Sequence, residues 1–223
     1  MYLSQLMLNP SCRLVQRDLA RPYEMHRTLS HAFPQGEVHV TRDADDAVGL
    51  LYRADDQEGV ISVLVQSKTA PDWRWLAEQR DGRGYPYLTR PVGFKPVNVA
   101  LAAGQLLSFR LRANPTKRLS AGKGHNGKRV GIDAEEEQLN WLARKGEQHG
   151  FRLLQAQASR DARIKNEKAI ERDDKVHDLE LLSVQFDGVL QVTDAALLLR
   201  AVETGIGSGK GFGFGLLSLA PAR

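Results

Sequence analysis

Hydrophobic and polar positions change period several times along the first ninety residues, and each change marks an element. "YLSQLMLN" alternates and predicts a strand. In "RPYEMHRTLSHAF" the apolar residues Met25, Leu29 and Phe33 recur at helical spacing, and Pro22 suits the first turn of that helix. "VGLLYRA" and "VISVLVQS" read as two strands joined by the acidic turn "DDQEG". "PDWRWLAEQ" reads as a short helix starting near Pro71 or Asp72, and Pro- and Gly-rich extended chain follows to about Gly104.

The pattern then starts over. "LLSFRLRAN" is a strand, followed by a basic loop. "DAEEEQLNWLARKGEQHG" is a helix with acids in its first turn, basic residues in its last and a glycine stop. "FRLLQAQ" and "LELLSVQFDGVLQVT" are strands flanking a highly charged connection. Asp194 caps the helix "DAALLLRAVETG", and "FGLLSLA" closes as a strand. Both halves read β-α-β-β-α-β. The expectation is an α+β chain of two tandem ferredoxin-like domains, over 1–90 and 105–223, joined by a linker over 91–104.

Composition adds limits. The 223 residues carry a net charge of +4 and one cysteine, Cys12. That excludes an internal disulfide framework and a cysteine-based zinc site, and it fits a reducing, cytoplasmic setting. No apolar run approaches a membrane span, so no membrane partner is expected. Charge is unevenly spread. From Gln105 to Ile132 there are seven Lys or Arg and no acid, the footprint of a polyanion binder. Its cations are Arg110, Arg112, Lys117, Arg118, Lys123, Lys128 and Arg129. A second basic stretch, "SRDARIKNEKAIER", holds Arg160, Arg163, Lys165, Lys168 and Arg172 between two predicted strands, as in a protruding ribbon.

"GIGSGKGFGFG" (Gly205 to Gly215) has three candidate readings. A Walker loop fails: Thr204 stands where its first glycine belongs, Gly211 replaces the magnesium-binding hydroxyl, and the loop runs from helix to strand. "KGFGF" begins an RNA-recognition signature, but Gly215 and Leu217 depart from it and it leads into the last strand instead of an inner one. What remains is a backbone cradle for an anion, with Gly207 and Lys210 as its contacts, or a tight turn with no ligand.

Read as Gly-Ile-Gly, five residues, Gly-Phe-Gly, the same stretch resembles the CRISPR repeat-processing endoribonucleases. "SFRLRANPTKR", the terminal "GLLSLAP" and "PYEMHRTLSHAF" are similar to the CasE branch, the RNase of the Cascade complex. The resemblance runs from Met1 to the final "LAP". It implies an endoribonuclease that needs no metal or cofactor and cuts CRISPR transcripts at the 3′ base of each repeat hairpin. It also implies that the enzyme then holds its product as a subunit of a surveillance complex, being monomeric when free.

The residues could run this chemistry. The 2′-OH of RNA can attack the adjacent phosphate, which requires proton transfers, in-line geometry and positive charge on the phosphorane. Tyr23, His26 and Arg27, at i, i+3 and i+4, share a helix face expected to lie opposite the apolar stripe. An imidazole can serve as base or acid near neutral pH, a phenol can position the scissile group, and a guanidinium can clamp phosphate. The resemblance implies His26 and Tyr23 as catalytic positions; Arg27 is a further candidate. A ferredoxin-like RNA-binding module without catalysis, or a scaffold subunit, would share the same basic footprint.

Overall fold

The computed structural model describes residues 1–33, 48–119, 129–169 and 176–222, with side chains described outside 162–180. The chain forms two compact units. Unit 1 is Met1–Ala100 with Glu203–Gly205 and Lys210–Leu216; unit 2 is Leu101–Val202 with Ile206–Gly209 and Leu217–Arg223.

In unit 1, β1 (Tyr2–Leu8) leads into α1 (Arg13–Ala20) and α2 (Pro22–Ser30). Then come β2 (Leu51–Gln57), β3 (Val60–Ser67), α3 (Arg74–Glu78) and β4 (Gly93–Pro96). The antiparallel sheet has the order β2-β3-β1-β4, the ferredoxin-like arrangement. Alternation along β1 and β3 turns Leu6, Leu8, Ile61, Val63 and Val65 into one core with Val15, Met25, Leu29 and Phe33 of the helical segment. The helical segment is two helices because Pro22 disfavours helical backbone at Arg21, which sits at φ −129°, ψ 86°. The segment expected as a linker contains β4, whose Phe94 pairs with Ser4 of β1. Its Pro-rich composition masked a strand that sits at the sheet edge, where proline is tolerated.

Unit 2 repeats the plan. It contains β5 (Leu106–Ala113), the small hairpin β6 (Thr116–Arg118) and β7 (Arg129–Gly131), and α4 (Glu135–Gln148). The long strands β8 (Phe151–Ala169) and β9 (Val176–Val192) follow, then α5 (Ala195–Thr204) and β10 (Leu217–Pro221). Its sheet order is β10-β5-β9-β8, the same ferredoxin-like order. Asp194 Oδ1 accepts the N–H groups of Ala196 and Leu197, the cap expected of it. β8 and β9 form a ribbon that extends into the segment read as a charged connection, with pairing as far as Ala169 and Val176. Among the described residues no helix is long and apolar enough to cross a membrane.

Candidate active site and nucleic-acid interface

The first turn of α2 carries Tyr23 and the second His26. Their rings stack, with centroids 6.5 Å apart. His26 is only 4% exposed, buried alongside Met25 and Leu29 and not turned away from the apolar stripe. The reason is that α2 is covered on two sides. It packs on α1, and it also packs on a 3₁₀ turn over Lys210–Phe212. A single apolar stripe predicts only one covered side.

On α2's own carbonyls, Ser30 Oγ donates to His26 O at 2.7 Å. Beneath the helix, the fully buried carboxylate of Asp18 accepts from Thr28 Oγ1 at 2.7 Å and from the Tyr87 hydroxyl at 3.0 Å, and pairs with Arg17 at 2.7 Å. Burial, and then the Asp18 charge, push the Tyr87 phenol far above its usual range, so it remains a donor. Arg27 is exposed and forked onto Glu24, with Nη1 3.1 Å from Oε2.

Two aromatic residues outside the helix complete the surroundings. Phe212 lies 6.0 Å from the Tyr23 ring, and Tyr52 of β2 lies 6.5 Å from the His26 ring. The Tyr52 hydroxyl donates to Pro22 O at 2.5 Å. In helical geometry that carbonyl also receives the His26 N–H, so Tyr52 grips the turn that carries the imidazole. Sequence reasoning did not single out either residue. Phe212 stood in the "KGFGF" fragment; Tyr52 gave no signal beyond a strand position.

The glycine stretch is the segment with the anion-cradle and tight-turn readings. It serves both units. Gly205 and Lys210–Leu216 belong to unit 1, whereas Gly207 belongs to unit 2, where it lies against the Trp141 ring. Packing requires glycine at two of its positions. Gly213 has φ +81°, and a Cβ there would stand 3.0 Å from the Tyr52 ring; a Cβ on Gly205 would stand 2.9 Å from Leu51. Lys210 opens the 3₁₀ turn that packs on α2, so it lies in the unit of Tyr23 and His26.

In unit 2 the basic segment is less bare than its local sequence. Arg110 pairs with Asp187 at 2.6 Å, Arg112 with Asp161 at 2.6 Å, Lys117 with Glu137 at 2.5 Å and Arg160 with Asp133 at 2.8 Å. Acids distant in sequence supply the counter-charge. Arg118 and Arg129 stand opposite each other across β6 and β7, a like-charge pair. Burial, and then the charges of Arg129 and Arg144, lower the pKa of Lys145. Cations therefore gather on β7 and α4. Lys123, Lys128 and Arg172 lie outside the described residues, as do the side chains of Arg163, Lys165 and Lys168.

Known proteins resemble the whole chain. Over 99% of its length it is 42% identical to the CRISPR-associated endoribonuclease Cse3 of Thermus thermophilus, all of which is covered. It is 32% identical to the CRISPR system Cascade subunit CasE of Escherichia coli, with 99% of this chain and 100% of that protein covered. Among solved structures it is similar to the CRISPR endoribonuclease Cse3 bound to 19 nt RNA, at a TM-score of 0.80 and 40% identity, covering 99% of this chain and 100% of that one. With the CRISPR associated protein family matching residues 1–221, this chain belongs to that family.

Proposed function

We propose that the chain is an endoribonuclease that cuts CRISPR precursor RNA at the 3′ base of the repeat hairpin and remains on the product as a subunit of a Cascade-type complex in the cytoplasm. The observation that carries this reading is the stacked pair Tyr23 and His26 on α2, walled by Phe212 and Tyr52, in a chain similar over its whole length to an endoribonuclease.

The proposed reaction uses the substrate's own nucleophile. The 2′-OH attacks the adjacent phosphorus, the bond to the next nucleotide's 5′-oxygen breaks, and a 2′,3′-cyclic phosphate forms. His26 moves a proton at the 2′-oxygen or at the leaving oxygen. Tyr23 donates a hydrogen bond to the reacting phosphate and holds it in line. Arg27 offers phosphate the guanidinium donors that Glu24 does not occupy. Because His26 is buried, RNA docking has to uncover its ring. The reaction is proposed to need no metal, since nucleophile, proton carrier and charge are all supplied by RNA and protein.

The hairpin is proposed to lie on unit 2. Arg110, Arg112, Lys117, Arg118, Lys128, Arg129, Arg160, Arg163, Lys165 and Lys168 would meet its phosphates, and Gly207 and Lys210 would contact RNA from the glycine stretch. Crowded cations on β7 and α4 support this, because a polyanion relieves their repulsion. Cleavage of a repeat RNA in EDTA tests the proposal. Activity should persist, and a 2′-deoxy substitution just upstream of the cut should abolish cleavage while leaving binding intact. Cleavage of that deoxy substrate would overturn the mechanism.

A further inference from the structure

The outer surface of α1 is a line of arginines that the cleavage reading leaves unused. Arg13, Arg17 and Arg21 follow one another at intervals of four residues, which puts them on one side of the helix over about 12 Å. All three are exposed. The line continues beyond the helix start. Arg83 donates from Nη2 to Ser11 O at 2.5 Å, and its guanidinium lies 5.0 Å above the Tyr85 ring. Tyr85 is 44% exposed. At the other end, Arg21 is the residue from which α2 starts, two positions before Tyr23.

The acids nearby pair with Arg17 and Arg83, whereas no ion pair among the described residues takes the side chain of Arg13 or Arg21. Asp18, the one acid of α1, is fully buried and committed to Thr28, Tyr87 and Arg17. Asp81 is buried and takes the N–H groups of Arg13, Arg83 and Tyr85 as well as the Arg83 side chain. Glu24 is occupied by Arg27. Arg13 moreover sits in the first turn of α1, where no acid is present and the helix dipole disfavours a cation. A cation held there suits an anionic partner.

We propose that this ridge is a track for single-stranded RNA flanking the cut, with phosphates on Arg13, Arg17 and Arg21 and a base stacked on Tyr85. It rests on the reading of α2 as the cleaving helix, because the track matters where it meets Tyr23. A nucleic-acid strand fits better than a protein. The exposed residues between the arginines are Gln16 and Ala20, so the ridge lacks the apolar anchor on which protein interfaces rely. It offers repeated point charges and an aromatic face, the two elements that hold a single strand.

The test compares two RNAs by fluorescence anisotropy: a blunt repeat hairpin, and the same hairpin with eight-uridine tails. Arg13→Gln/Arg21→Gln should weaken the tailed RNA about tenfold and lower the salt slope by about 1.4, the value for two phosphates on a single strand. The blunt hairpin should change less than twofold. Tyr85→Ala should cost the tailed RNA about fivefold or more. Arg13→Lys/Arg21→Lys, which keeps the charges, should restore most of the affinity and guards against a folding artefact. Equal losses on both RNAs, or none on either, overturn the track. So does loss of assembly with other complex subunits while tailed-RNA affinity is kept, which would make the ridge a protein surface. If the wild type ignored the blunt hairpin, the function proposed above would fail, and the ridge would still be judged by the tailed RNA.

Discussion

The two units share one strand order and carry different residues on equivalent elements. The helical segment after the first strand of unit 1 ends in α2, with Tyr23 and His26. In unit 2 the corresponding helix is α4, which opens with Glu135, Glu136 and Glu137 and buries Trp141 and Leu142. The topology is indifferent to chemistry; side chains at matched positions decide it. Unit 2 instead extends β8 and β9 to 19 and 17 residues and counters many of its arginines with acids. One unit holds the Tyr23 and His26 pair proposed to transfer protons, and the other a charged scaffold.

The largest effect should come from His26→Ala. Cleavage measured under single-turnover conditions should fall by about 10²–10⁴, with RNA affinity within a few-fold of wild type. Glu136→Ala on the matched helix should leave the rate unchanged. Comparable losses from both would erase the division between the units.

Next in size, Gly213→Val forces a side chain toward Tyr52 at a left-handed φ. It should destabilise unit 1 by about 2 kcal/mol or more and slow cleavage, because Tyr52 holds the turn beneath His26. Gly59→Ala, also left-handed but with nothing within 4 Å, should cost only about 1 kcal/mol in denaturant melts. Equal costs would separate the glycine from the site.

A smaller effect concerns pH. Asp81 caps the start of α1. The Arg13 N–H foremost, then those of Arg83 and Tyr85 and the Arg83 side chain, hold its pKa down to about 2 against burial. A lowered folded-state pKa gives stability that is present above the unfolded value and is lost as pH falls toward 2. Asp81→Asn should therefore flatten the fall in melting temperature between pH 4 and pH 2. An unchanged slope would remove Asp81 from the acid limb. Smallest of all, Arg160→Gln breaks an exposed pair with Asp133 and should cost under about 1 kcal/mol of stability. Any larger loss should appear only in RNA affinity.

What the sequence disclosed follows from the range of the interactions. Strand alternation and the stripe Met25, Leu29 and Phe33 are local patterns, and they located the sheets and the core of unit 1. Asp194 as a cap is likewise written within three residues. β4 was hidden because its hydrogen bonds go to β1, some ninety residues away in sequence. The counter-charges of Arg110 and Arg112 were hidden for the same reason, since Asp187 and Asp161 lie far along the chain. Tyr23 and His26 were legible as a pair of residue types at helical spacing. Their enclosure by Tyr52 and Phe212 was not, because it depends on where Gly213 brings the chain.

The return of Lys210–Leu216 to unit 1 has a consequence for biosynthesis. A nascent chain can emerge with residues 1–100 and lack the wall beside Tyr23 until more than one hundred further residues have been added. At roughly 5–20 residues per second, the interval is on the order of ten seconds. During that time the pair on α2 exists without Phe212, and its wall arrives only once Lys210–Leu216 has been made.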